Sequence, residues 1–201
     1  MMSSAKPGLV LAILFLAAGP AQPLAVVQTP SPASSKFLAL FDRLRAAEAP
    51  GGTHQRVAFQ FSDSEINEYL RYSLKTTPRP GVDSVTVKIF ANNYISTFTV
   101  VDFDAVERWR PGTVPALLRP LLKGKKSLWL DYRFQVRDAK VTFSVEKSYY
   151  QNTRLPAILV QKMIQIVAAR QPEKYATSKP LPLPFGLRQV RTAEHAVMGE
   201  N

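Results

Sequence analysis

Cysteine is absent from this 201-residue chain. No disulfide can staple the fold, and no thiolate can hold a metal or attack a substrate. Histidine is scarce: only His54, in a Gly-rich loop, and His195, near the C-terminus. Neither has an acid–base partner marked nearby, so both read as solvated loop residues. The Gly-x-Ser-x-Gly nucleophile elbow is missing, because Phe61 and Asp63 flank Ser62. No glycine-rich phosphate loop occurs. Asp102 and Asp104 are the nearest approach to a cation site, but Ca²⁺ needs about six to eight oxygens. They read instead as a strand-end residue and a helix N-cap. The sequence therefore points to no catalytic set, no cofactor and no metal.

Acidic residues are also in short supply, with 15 Asp and Glu against 26 Lys and Arg and a formal charge of +11. Such a surplus favours anionic partners. The start of the chain narrows the choice among them. Residues 1–21 read as a secretory signal peptide: Lys6 is the positive region, Leu9 to Ala18 the apolar stretch, and Gly19-Pro20-Ala21 the small residues before a cut. An uncleaved N-terminal anchor is the alternative. Either form places the domain in the periplasm or cell envelope, where nucleic acid is scarce and membrane surfaces are abundant. Hydrophobic residues make up 46% of the chain, enough for one packed domain.

Residues 22–35 are rich in Pro and Ser and read as a flexible linker to a single domain over 36–201. Ser34 or Ser35 is expected to cap a first helix, on which Phe37, Leu40, Phe41 and Leu44 follow at helical spacing. Alternation at Val57, Phe59 and Phe61 predicts a short strand. Ser62 and Glu65 have capping-box spacing, so a second helix is expected over about 63–75, presenting Ile66, Tyr69, Leu70 and Leu74 on one face.

Two hairpins follow. A two-residue turn at Asn92-Asn93 predicts the pairs Ile89–Ser96, Val87–Phe98 and Val85–Val100. A turn at Asp138-Ala139 predicts Val136–Val141, Phe134–Phe143 and Tyr132–Val145, with Trp129, Asp131 and Arg133 on the other face. Residues 154–172 read as the longest helix, with Leu159, Met163 and Ile166 in its apolar stripe. The chain then closes with a strand, a turn and a short strand. The expected fold is α+β: a curved antiparallel sheet built from hairpins, wrapped around or packed against one long C-terminal helix and shorter N-terminal helices.

The stretches "FSDSEINEYL", "GVDSVTVKI", "VVDFD", "LLKGKKSLWLDYRF", "LPAILVQKMI" and "LPLPFGLRQVRTAEHAVM" resemble, in that order, exported lipid-binding domains of the LmeA-like and YpmS-like type. Those are related in style to tubular lipid-binding folds. The resemblance spans about residues 55–198 and implies a hydrophobic groove for phospholipid or another acyl-chain lipid, and no catalytic residues. The facing patterns nominate an apolar lining of Ile66, Tyr69, Leu70, Val87, Phe98, Leu130, Tyr132, Phe134, Phe143, Val145, Leu159, Met163 and Ile166. Arg119, Lys123, Lys125 and Lys126 form a basic cluster suited to lipid headgroups at an anionic membrane surface. The competing readings are a non-enzymatic interaction module with a solid core and an enzyme whose site leaves no motif.

Overall fold

The computed structural model describes residues 29–49, 56–77, 79–109, 111–112, 114, 119–156 and 180–201. Helix α1 spans Pro32–Glu48 and begins inside the stretch read as a linker. Its N-cap is Ser31, whose side chain accepts a hydrogen bond from the Ser34 amide, and Pro32 occupies the first turn. Proline there loses no helical hydrogen bond, so the cap sits earlier than Ser34 or Ser35. Strand β1 (Ala58–Ser62) runs directly into α2 (Asp63–Thr76). The expected capping box closes this junction: Ser62 Oγ accepts from the Glu65 amide, and Glu65 accepts from the Ser62 amide.

β2 (Val82–Phe90) and β3 (Tyr94–Asp102) form the first hairpin, and α3 (Phe103–Trp109) follows. The N-cap of α3 is Asp102, whose carboxylate accepts from the Ala105 amide at 3.0 Å, and Asp104 lies in the first turn. Asp102 is the strand-end residue expected and also takes the capping role expected of Asp104. β4 (Lys125–Arg137) and β5 (Lys140–Tyr150) make the second hairpin. Two short strands, β6 (Thr153–Arg154) and β7 (Leu181–Pro182), pair with β5, and β8 (Gln189–Ala193) and β9 (Ala196–Glu200) close the chain.

The strands form two antiparallel sheets rather than one: a six-stranded sheet with the path β2-β3-β4-β5-β6 and β7 also on β5, and a three-stranded sheet β1-β9-β8. The reason is that β1 pairs with the chain end, Phe61 opposite Val197, instead of extending the hairpins. Helix α2 packs mainly on β2, and α1 packs on α2 and on the turn Pro184–Gly186. The main core joins Phe37, Leu40 and Leu44 of α1 with Phe61, Ile66, Leu70, Val87, Ile89, Ile95, Tyr132 and Phe134. Phe37 stacks between Phe61, at 3.7 Å between ring centres, and Tyr69, at 4.7 Å. Of the predicted long helix, Arg154 belongs instead to β6, and residues 157–172, with Leu159, Met163 and Ile166, lie outside the described residues, as do the signal peptide and His54.

The second hairpin has the expected register, with Asp138 and Ala139 at φ 52° and 53° in its turn. The first does not. Ala91, Asn92 and Asn93 make a three-residue connection, so Ile89 faces Ile95, Val87 faces Thr97 and Val85 faces Thr99. Contacts outside the hairpin hold this arrangement. Asn93 receives the Thr192 amide at its Oδ1 (2.9 Å), donates its own amide to Thr192 Oγ1 (2.7 Å), and accepts the Phe134 amide (3.0 Å). A one-residue slip turns a whole strand over. Thr97 is therefore buried, and Phe98, expected to face the interior, is on the outer surface.

Candidate lipid-contact surface

Asn67 of α2 lies beside β2, an edge strand. Its Nδ2 donates to the Val87 carbonyl (2.8 Å), and the Val87 amide donates to its Oδ1 (2.7 Å). The His195 amide donates to the Ile89 carbonyl (3.0 Å), one edge position further along. Together they satisfy backbone groups that an uncovered edge would expose. The His195 ring is not simply solvated: its Nδ1 lies 2.8 Å from Asp63 Oδ2 at the start of α2. Hydrogen bonding and charge attraction from Asp63 raise its pKa above the usual histidine range. Facing patterns do not reveal either residue's role, because Asn67 depends on α2 meeting β2, and His195 on the β8–β9 turn meeting β2 and α2.

The lining residues nominated from sequence divide into three groups. Ile66, Tyr69 and Leu70 meet Phe37, Phe41, Phe61 and Phe185 around an apolar cavity of about 70 Å³ between the helices and the three-stranded sheet. Ligand pockets typically measure about 300–1,000 Å³, so this space is a packing defect in scale. Val87, Tyr132 and Phe134 are fully buried core on the inner face of the six-stranded sheet. Burial pushes the Tyr132 phenol up to about 12, which keeps it neutral, and Thr97 Oγ1 donates to it at 3.4 Å.

Leu130, Phe143 and Val145 continue that inner face on β4 and β5 and remain partly accessible. Beyond Leu130 a second, smaller core begins, in which Val114, Leu122 and Tyr150 pack with Leu128 and Leu155. The inner face thus carries two buried clusters, with half-buried Leu130 and Phe143 packed at the margin of the larger one and Val145 beside them. Of the described helices, α2 packs chiefly on β2, α1 on α2 and the Pro184–Gly186 turn, and α3 lightly on β4.

The basic cluster sits at the same end as the smaller core. Arg119 is paired with Glu107 (2.9 Å), and Lys125 with Asp83 (2.6 Å). Glu107 also accepts the Gly112 and Val114 amides, and these bonds lead the causes that lower its pKa. Lys123 and Lys126 have no ion-pair partner among the described residues, so their charges are the available ones in the cluster. Exposed Leu121 stands beside them, its carbonyl receiving the Tyr150 hydroxyl. Other hollows, of about 560 and 670 Å³, open along the three-stranded sheet and are lined by Arg56, Gln189 and Glu200 with apolar neighbours. Among the described residues, no His, Asp and Glu side chains group to hold a metal ion. No described helix is long and apolar enough to cross a membrane.

No family model matches the chain. No curated protein matches it either. Among solved structures, it is similar to a crystal structure of lipopolysaccharide binding protein at 12% identity and a TM-score of 0.23, over 71% of this chain and 39% of that one. The chain therefore corresponds to well under half of that protein's length, and a likeness at this score carries no argument about fold or ligand.

Proposed function

We propose that this chain is a non-enzymatic, exported cell-envelope protein that holds lipid acyl chains against the inner face of the six-stranded sheet. The observation that carries this reading is the half-buried apolar strip of Leu130, Phe143 and Val145 at the margin of the main core, on the side toward the smaller one. Hydrocarbon laid along such a strip gains about 0.8 kcal/mol for each methylene removed from water. Lys123 and Lys126, with Arg119 and Lys125 beside them, favour an anionic headgroup at the sheet end. The residues of α2 take no part in holding the chain, since their cavity is too small. The resemblance to LmeA-like and YpmS-like domains agrees with this reading.

Native mass spectrometry of the purified protein tests it. Bound phospholipid is expected with wild type, and less with a Leu130→Asn/Val145→Asn variant. Recovery of no lipid from wild type, under conditions that retain lipid on a known carrier, would sink the idea.

A second reading is a non-enzymatic interaction module with a solid core. It is favoured by the small size of the apolar cavity and by the exposure of Phe98 and Trp129. An absence of lipid together with a stoichiometric envelope-protein partner would support it.

A further inference from the structure

The outer face of the six-stranded sheet carries an aromatic row that the acyl-chain reading does not use. Thr86, Phe98, Trp129, Tyr149 and Arg154 lie directly opposite one another on consecutive strands β2 to β6. Residues so paired share one face, and the row runs about 19 Å at the usual strand spacing. Phe98 is 39% exposed and Trp129 42%, and their rings meet edge to face at 6.3 Å. The Trp129 indole N–H donates to Asp131 Oδ1 at 2.7 Å. With its only donor held by the protein, Trp129 offers hydrocarbon to the outside.

Cations surround this row. Lys88 and Lys147 stand in the neighbouring row, at its two ends, with Ser96 and Asp131 between them. A bulge in β5 moves the partner from Lys147 opposite Asp131 to Val145 opposite Tyr132, which puts Lys147 on the outer face. Arg154 ends the aromatic row. Among the described residues, none of Lys88, Lys147 and Arg154 has an ion-pair partner. The acids at this face are engaged by other groups: Asp131 with Trp129, Glu146 with Arg133, Asp83 with Lys125, and Asp102 with the α3 amide.

We infer that this outer face docks on the headgroup layer of an anionic phospholipid bilayer. The exposed rings of Phe98 and Trp129 suit the boundary between headgroups and hydrocarbon, with the Tyr149 ring and its hydroxyl beside them. Free lysines and arginine around them meet lipid phosphates, in keeping with the +11 charge of the chain. The choice of partner rests on the lipid reading above, but docking needs no acyl chain inside the protein.

The experiment is vesicle co-sedimentation of the whole protein, using phosphatidylcholine vesicles with and without phosphatidylglycerol. Wild type is expected to bind the anionic vesicles, with a blue shift in tryptophan emission. Phe98→Thr/Trp129→Thr is expected to lose about tenfold or more in partitioning, the scale of two partly buried aromatic rings. Lys88→Gln/Lys147→Gln/Arg154→Gln is expected to remove the preference for phosphatidylglycerol. Leu38→Ser, which removes an exposed leucine on α1, is expected to bind as wild type does. Each variant is first matched to wild type by its urea midpoint, and the threonines keep strand propensity at exposed positions.

Wild-type-like binding by the aromatic variant would overturn the proposal, as would failure of wild type to bind anionic vesicles. Tighter binding to a single-stranded oligonucleotide, lost with the same substitutions, would also overturn it and reassign the face. Lipid retained in native mass spectrometry by a variant that no longer binds vesicles separates this surface from the acyl-chain site.

Discussion

Asn67 mimics a strand. Its side-chain amide offers β2 one donor and one acceptor at Val87, as a neighbouring peptide would, and so fastens α2 to the sheet edge. Asn67→Ala removes both bonds and leaves the Val87 amide and carbonyl without partners in a half-buried place. The expected loss is about 1–3 kcal/mol, read as a lower urea midpoint with an unchanged slope. A change under about 0.5 kcal/mol, the usual range for surface substitutions, would show that water replaces the amide without cost. Gly81 matters for a different reason. It sits at φ +85°, and a Cβ there would lie 2.2 Å from Val106 Cγ2, so the close approach of α3 to the start of β2 depends on having no side chain at this position.

At the scale of elements, the junction between β1 and α2 holds by local chemistry. Ser62 ends the strand, caps the helix and exchanges bonds with Glu65. Lys36 of α1 adds an ion pair to Glu65 at 2.7 Å, and that contact leads the causes that lower the Glu65 pKa. Ser62→Ala is expected to cost about 0.5–2 kcal/mol, the ordinary value of an N-cap. Urea denaturation would measure it, and a neutral substitution would mean that Glu65 alone holds the junction. The capping box was legible in "FSDSEINEYL", because it is a rule about residues three apart; the Lys36 ion pair, from 29 residues away, was not. The first hairpin was legible only in part. Asn92 and Asn93 announced the turn, but a two-residue and a three-residue connection differ by one unit of register, and Thr192 on β8 selects between them.

For the whole molecule, the contact between His195 and Asp63 joins the chain end to the start of α2 and gives stability a pH dependence. The folded pKa of His195 is raised, first by its hydrogen bond to Asp63, then by the charge of Asp63, and slightly by Glu194; desolvation and Lys88 oppose the rise. A raised pKa means that the protonated form is favoured in the folded state. This contribution is fully present below the unfolded value, 6.5, and fades as pH rises through the higher folded value. Wild type is therefore expected to lose stability between neutral and mildly alkaline pH relative to His195→Gln, whose profile lacks that step. Parallel profiles would remove the His195–Asp63 contact from the account. On the acid side Glu65 has the opposite sign: its lowered pKa contributes above the ordinary value of 4.5 and is lost as pH falls through the folded one.

The sequence by itself determined the elements whose causes are local. These are the first two helices, the capping box, the Asp138-Ala139 hairpin with its three apolar pairs, the closing hairpin, and a charge balance that favours anionic partners. Periodicity and caps act within a few residues, so they can be read in one dimension. The tertiary structure decided what depends on distant segments meeting. It split the strands into two sheets by pairing β1 with β9, and it turned β3 over so that Phe98 joins Trp129 on the outside. It also spent Ile66, Tyr69 and Leu70 on a nearly filled core. Alternation shows that a strand has an apolar side. Which side another element covers, and how completely, is set only when the chain packs.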